Sequence, residues 1–295
     1  MAESIINCED LSGADVVLLS ANYDKTSSFG KGADKGPEAI INCLQNQIEF
    51  YERFTKTEPC CKYRIAHHDL GNLNNLEPEE MVNIVAKEFE KYYKEKKFVI
   101  MLGGEHSVSN GPFRIISSQN PQEITVLHID AHADLREDDS DCSSEPKGKY
   151  AHSCVMKRAY DAGLKTVQVG IRAYSKEEHE FIKKNKLAVF EWGKKEIKEI
   201  PTADEIIKAI KTDKVYLTID VDGIDPSHMP ATGTPVQGGL EWHYMLRLLE
   251  KLFEKKNVVA ADIVEVAPKA NDKLTEYGAA QICYNLIAYK MLNKK

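Results

Sequence analysis

In VLHIDAHADLRE, Asp130, His132 and Asp134 stand at alternate positions directly after an apolar run. On an extended chain alternate side chains share a face. Two carboxylates and an imidazole are therefore expected to converge where a core strand ends. A second apolar run, VYLTIDVDGIDP, ends in Asp220 and Asp222 at the same spacing. A third, FVIMLGGEHSVSNGP, ends in Gly-Gly followed by Glu105 and His106. If the three strands are neighbours, about 4.8 Å apart, His106, His132 and the four aspartates meet in one place. Four carboxylates in a dry pocket cannot all stay ionised unaided, and two divalent cations would balance them. Carboxylate-rich ligation with a minority of imidazole suits manganese, iron(II) or zinc, and suits Cu(I) poorly. The lack of cysteine in the set argues against a structural zinc site. Cations paired roughly 3.5–4 Å apart are a recurring hydrolytic device, because a water shared between them deprotonates near neutral pH and becomes a nucleophile. A single aspartate at a strand end would read as a turn former or helix cap; three such strand ends in one chain carry the metal reading.

The elements that must position these residues are legible as short apolar runs. They are DVVLLSA (15–21), YRIAHHD (63–69), KFVIMLGG (97–104), ITVLHID (124–130), TVQVGIR (166–172), LAVFEW (187–192), KVYLTIDVD (214–222) and VVAADIVEV (258–266). Most are apolar on both faces, as in a parallel sheet covered on both sides. Amphipathic stretches lie between them. PEEMVNIVAKEFEKYYKEKK has Pro78 near its start, TADEIIKAIKT opens on Thr202 as a plausible N-cap, and EWHYMLRLLEKLFEKK has the same character. Alternation of strand and helix to the end predicts an α/β fold, a three-layer βαβ architecture in one domain over 1–295. The polar, acidic segment 136–152 follows the charged end of the 124–130 run. In open α/β sheets ligands bind beyond the carboxyl ends of the strands, so this segment is expected to form a substrate wall.

The net charge of −7 argues against general nucleic-acid binding, which requires a basic face. No apolar run approaches the roughly 18 residues of a membrane span, and MAESIINCEDLSG has neither the basic nor the apolar region of a signal peptide. Seven cysteines without a framework read as free thiols in a reducing compartment, the vicinal Cys60 and Cys61 as surface thiols. The expectation is a cytoplasmic protein.

Three motifs, GGEHSVSNGP (103–112), HIDAHADLR (128–136) and TIDVDGIDPSHMPATGTPVQGG (218–239), resemble those of the ureohydrolases, the family of arginase and agmatinase. Weaker matches are SSFGKGADKGPEAI (27–40), DLGN (69–72), QVGIR (168–172) and DIVEVAP (262–268), so the resemblance covers nearly the whole chain. It implies an eight-stranded parallel sheet between helices and two Mn²⁺ per subunit. His106 and Asp134 would ligate one ion, His132 and Asp222 the other, with Asp130 and Asp220 serving both. Glu105 departs from the aspartate of many members, but the adjacent His106 is the ligand. The resemblance further implies that Glu265 grips the guanidinium of the substrate, that His152 shuttles protons, that Asp134 also hydrogen-bonds the nucleophile and that Thr234 contacts substrate. It implies a homo-oligomer, a trimer or hexamer.

A guanidinium is planar, delocalised and a poor electrophile. Its hydrolysis needs a strong nucleophile, a carboxylate to hold the cation and a proton donor for the leaving amine. The segment LREDDSDCSSEPKGKY lacks the Asn-Thr-Pro pattern of arginases and carries Glu137, Asp138, Asp139, Asp141 and Glu145. An acidic wall suits a distal amine without a carboxylate, so agmatine, yielding putrescine and urea, is the expected substrate. DPSHMPATGTPV is more arginase-like, and Arg136 could pair either a substrate carboxylate or its acidic neighbours. Arginase, guanidinobutyrase and formimidoylglutamase are the alternatives; the last would need Arg136 and Arg172 for two carboxylates. A metal-free scaffold relative and a dinuclear phosphohydrolase are readings of other classes. The first conflicts with an intact ligand set, the second with an acidic loop.

Overall fold

A computed structural model describes residues 4–193 and 200–291. Its centre is one eight-stranded sheet in which every pairing is parallel, built from β1 (Val16–Asn22), β2 (Ile65–Asn72), β3 (Phe98–Gly103), β4 (Ile124–Ile129), β5 (Lys165–Ile171), β6 (Ala188–Glu191), β7 (Lys214–Asp220) and β8 (Asn257–Val264). The spatial order is β2-β1-β3-β8-β7-β4-β5-β6. Each apolar run read from the sequence is one of these strands. The expected three-layer α/β architecture forms, with one change of detail. β4 and β7 are neighbours, but β8 lies between β7 and β3, so the three charged strand ends are not consecutive.

The sheet is covered on both faces, which is why its strands lack a polar side. On one face Val126, Tyr216 and Ala260 pack with Phe89 of α2 (Pro78–Lys94), Phe113 and Ile116 of α3 (Asn110–Gln119) and Met156 of α4 (Val155–Asp161). Phe181 of α5 (Lys176–Asn185) joins from the rim. On the other face Leu127, Ile129, Leu217 and Ile219 meet α1 (Gly36–Asn46), α6 (Ala203–Ala209), α7 (Trp242–Lys255) and α8 (Leu274–Lys290). Each fully buried leucine or isoleucine in these layers contributes about 1.5–3 kcal/mol. The helix starts follow their sequence signals: Pro78 opens α2, and the Thr202 hydroxyl accepts from the Glu205 amide at the start of α6.

Because all strands run the same way, their carboxyl ends share one edge, and the loops there carry the chemistry. Among the described residues no helix is long and apolar enough to cross a membrane. All seven cysteines are free thiols; Cys61 is exposed, but Cys60 is buried against Tyr284, so only one of the vicinal pair is a surface thiol.

Candidate functional site

β4 ends at Ile129, and the residues that follow are not extended. Asp130 Oδ1 accepts from the His132 amide at 2.6 Å, and Asp134 has φ 52°. The convergence of Asp130, His132 and Asp134 thus comes from a tight loop rather than from strand alternation. Likewise Asp222 sits in the 3₁₀ turn Val221–Gly223, and Asp220, which ends β7, accepts from the Asp222 amide at 2.8 Å. Asp222 Oδ1 accepts from the Ala131 amide at 3.0 Å and ties the two loops together. His106 opens a 3₁₀ turn after β3, capped by Glu105. The Gly-Gly step before it is obligatory, since a Cβ on Gly104 would stand 1.9 Å from the Tyr23 carbonyl oxygen.

These loops bring all six predicted ligands together. His106 Nδ1 lies 3.1 Å from Asp130 Oδ2, 3.3 Å from Asp220 Oδ2 and 3.4 Å from Asp134 Oδ2. His132 Nδ1 lies 3.0 Å from Asp222 Oδ2 and 3.5 Å from Asp130 Oδ1. Two overlapping donor sets result, one of His106, His128, Asp130 and Asp134, the other of Asp130, His132 and Asp222. Asp130 belongs to both. The donor set fits a pair of divalent cations. His106 Nδ1 is buried and makes no hydrogen bond, although three carboxylate oxygens surround it. An imidazole nitrogen and three carboxylate oxygens that converge on a common point are a donor set suited to a cation.

The electrostatics of the protein alone express the same conflict. Burial, then the charge of Asp130, pushes the Asp134 carboxyl well above its ordinary range. Burial followed by Asp222 and Asp130 does the same to Asp220. Against the burial that opposes it, contact with His128, His106 and His132 holds Asp130 well below that range. His132, despite burial, is pushed up to about 12 by Asp222 and Asp130. Protons and imidazolium charge compensate the carboxylates here, and divalent cations can replace them.

A cavity of about 230 Å³ opens onto the cluster, with His132, Asp134, Asp220, His152, Thr234 and Glu265 in its lining. Every predicted site residue therefore lies in the cluster or on this cavity. Glu265 follows β8 with φ 66°, a conformation costly for a non-glycine residue, and its Oε1 accepts from the His106 amide at 2.8 Å. The insertion of β8 between β3 and β7 is what delivers it. His152 is held by the loop after β1: its amide donates to Thr26 Oγ1 at 2.9 Å, and its Nε2 lies 3.2 Å from Ser28 Oγ. Burial, then positive charge on His132 and His106, pushes its imidazole down to about 3. Thr234 donates to Asp222 Oδ2 at 3.4 Å.

The acidic wall does not form. None of the five acids of 137–145 lines the cavity. Glu137 pairs with Lys157 and Arg158, Asp141 with Arg136, and Glu145 with Lys147. Asp138 accepts from the Ser140 amide, and Asp139 is buried, accepting from the amides of Lys147 and Gly148. From that segment Arg136 and Cys142 reach the cavity, and the acid on that side is Glu178 of α5. Arg172 is committed to the carbonyls of Gly170, Asp222, Gly223, Val236 and Gln237. The residues that spacing did not single out are Ser28, Glu178, His128 and Gln168. The last two are polar interruptions of the apolar runs ITVLHID and TVQVGIR, which is the signal that could have found them.

The Arginase family model matches residues 14–288. N(1)-aminopropylagmatine ureohydrolase of Synechocystis sp. is 34% identical over 288 residues, covering 94% of this chain and 89% of that protein. Agmatinase of Pyrococcus horikoshii is 28% identical over 281 residues, covering 94% and 93%. The crystal structure of agmatine ureohydrolase of Thermoplasma volcanium superposes with a TM-score of 0.84 at 29% identity, over 99% of this chain and 95% of that chain.

Proposed function

Since the chain belongs to the arginase family, a family of ureohydrolases, we propose that it hydrolyses the guanidinium group of a decarboxylated guanidino amine, agmatine or its N(1)-aminopropyl derivative. The observation that carries this reading is the balance of charge around the cavity. Beyond the ligand carboxylates, Glu178 and Glu265 face it, and the arginine in its lining, Arg136, is paired with Asp141. A substrate cation is matched there, and a substrate carboxylate is not. Arginine and formiminoglutamate, which carry carboxylates, fit less well. The similarity to proteins named for both agmatine and aminopropylagmatine supports both chain lengths.

His106 and Asp134 would hold one manganese ion, His132 and Asp222 the other, and Asp130 and Asp220 both. Bound there, the pair supplies water of near-neutral pKa, the nucleophile that a guanidinium carbon demands. The side chains do the rest. Glu265, aimed by the His106 amide, pairs with the planar cation and orients its carbon toward the cluster. Asp134 accepts a hydrogen bond from the nucleophile and fixes its line of attack. His152, kept neutral by its surroundings, passes the proton to the departing nitrogen. The C–N bond to the alkylamine breaks, and water's oxygen remains on carbon as urea. Agmatine would give putrescine, a polyamine precursor.

Complete assembly of the six ligand side chains favours catalysis over a metal-free scaffold. The same reading takes the chain as one domain over 1–295, resident in the cytoplasm and assembled as a trimer or hexamer, which light scattering on the eluting protein can check. The test of substrate is urea release from agmatine, N(1)-aminopropylagmatine and arginine at equal concentration with Mn²⁺. Either amine should exceed arginine by at least about tenfold in kcat/KM, the equivalent of about 1.4 kcal/mol; preference for arginine would reject the reading.

A further inference from the structure

Four polar side chains cross the sheet at one level. Gln168 on β5 pairs in register with His128 on β4, His128 with Thr218 on β7, and Thr218 with Asp262 on β8. All four are fully buried. Polar groups in a dry core cost free energy unless they are hydrogen-bonded, and the sheet itself needs none here. The row meets the ligand cluster at two points. His128 Nε2 lies 2.7 Å from Asp130 Oδ2, and Thr218 Oγ1 lies 2.9 Å from His106 Nε2.

We propose that this row is a positioning layer that fixes His106 and His128 as their Nε2–H tautomers, so that the His106 Nδ1 lone pair and the Asp130 carboxylate both face the cations. The inference rests on the metal reading above.

On one side, Gln168 Nε2 donates to the Ala133 carbonyl at 2.7 Å, which settles the orientation of its amide. The same nitrogen lies 2.9 Å from His128 Nδ1. A donor there makes Nδ1 the acceptor, so the ring proton sits on Nε2 and is donated to Asp130. On the other side, Asp262 Oδ2 accepts from the Tyr216 hydroxyl at 2.7 Å, and the Thr218 hydroxyl faces the same carboxylate. A hydroxyl donates once and accepts at its lone pairs, so Thr218 can turn its proton toward Asp262 and a lone pair toward His106 Nε2. With a cation held at Nδ1, the buried nitrogen without a hydrogen bond, His106 would keep its proton on Nε2 and donate it to Thr218. Outer partners of this kind set the tautomer and orientation of a ligating histidine.

The test uses the full-length protein and its Thr218→Val, Thr218→Ser and Asp262→Asn variants. Mn²⁺ affinity is read from the electron paramagnetic resonance of the free ion, and the tautomer of His128 from ¹⁵N imidazole resonances of the metal-free wild type. Thr218→Ser should bind Mn²⁺ within about twofold of wild type, whereas Thr218→Val and Asp262→Asn should lose about 10- to 100-fold. The wild-type spectrum should show His128 protonated at Nε2. A layer that merely fills space predicts the opposite order, because valine matches threonine in shape better than serine does. Wild-type affinity in Thr218→Val, or His128 protonated at Nδ1, overturns the proposal. If Thr218→Val does not fold, Asp262→Asn and the wild-type spectrum decide. A wild type that binds no Mn²⁺ refutes the metal reading, and the spectrum then decides the tautomer by itself.

Discussion

Replacing Glu265 by Gln removes a charge and almost no volume. Glu265 is 5% exposed, and its Oε1 accepts from the His106 amide at 2.8 Å. Burial, then the nearby Glu105, pushes its carboxyl well above the ordinary range. Glutamine keeps that hydrogen bond through its amide oxygen, so the turn at φ 66° and the place of His106 are preserved. Loss of one carboxylate beside Glu105 and Asp222 also relieves repulsion, so Tm should hold or rise slightly. What disappears is the ion pair with the guanidinium. A hydrogen bond to a charged group contributes about 1.5–3 kcal/mol, and breaking a buried ion pair by removing one partner costs about 3–5 kcal/mol. A loss of about 3–4 kcal/mol at 1.4 kcal/mol per decade corresponds to a fall in kcat/KM of about 10²- to 10³-fold. Urea release measured against substrate concentration, with bound Mn²⁺ counted in parallel, gives both quantities. A kcat/KM within about threefold of wild type, or a comparable loss of bound metal, would refute the role of Glu265; the scale is again about 1.4 kcal/mol per tenfold.

Arg172→Lys should lower activity and Tm together, because a single ammonium cannot span the carbonyls of Gly170, Asp222, Gly223, Val236 and Gln237. A cost of about 2–4 kcal/mol is expected, above the value of one hydrogen bond because several acceptors are abandoned; a thermal melt checks it. Asp225 governs acid stability of the loop that follows β7. Although partial burial pushes it up, hydrogen bonds from Ser227, Gly239 and Gly238 hold its carboxyl at about 2. A folded pKa below the unfolded value of 3.8 adds stability that is complete above that value and is lost as pH falls toward about 2. The Trp192 indole donates to the Gly239 carbonyl, so its fluorescence should report the loop opening over that interval. Asp225→Ala should open it already at neutral pH, and a transition unchanged by this substitution would exclude Asp225 as its cause.

The strands were legible because burial on both faces writes them as unbroken apolar runs. The ligands were legible because their charge interrupts those runs at one end. Strand order was not: a crossover helix can carry the chain to any neighbouring slot, and nothing in DIVEVAP marks β8 as the strand between β3 and β7. The same limit hid the loop conformations. DxHxD suggested an extended face, whereas the Asp130 carboxylate folds the chain back onto the His132 amide. The acidic segment misled because composition records charge but not direction; its acids turn to Lys147, Lys157, Arg158 and Arg136. α8 gave no helical stripe because it is buried around nearly its whole circumference, from Thr275 to Tyr289. His128 and Gln168 were readable only as misfits in apolar strands, and their purpose depends on which strands pair.

The most direct measurement is a titration of chelator-treated protein with Mn²⁺, following urea release from agmatine and N(1)-aminopropylagmatine. The account predicts no urea without metal and a plateau of activity at two equivalents per chain. Full activity at one equivalent, or urea from the metal-free protein, would contradict it.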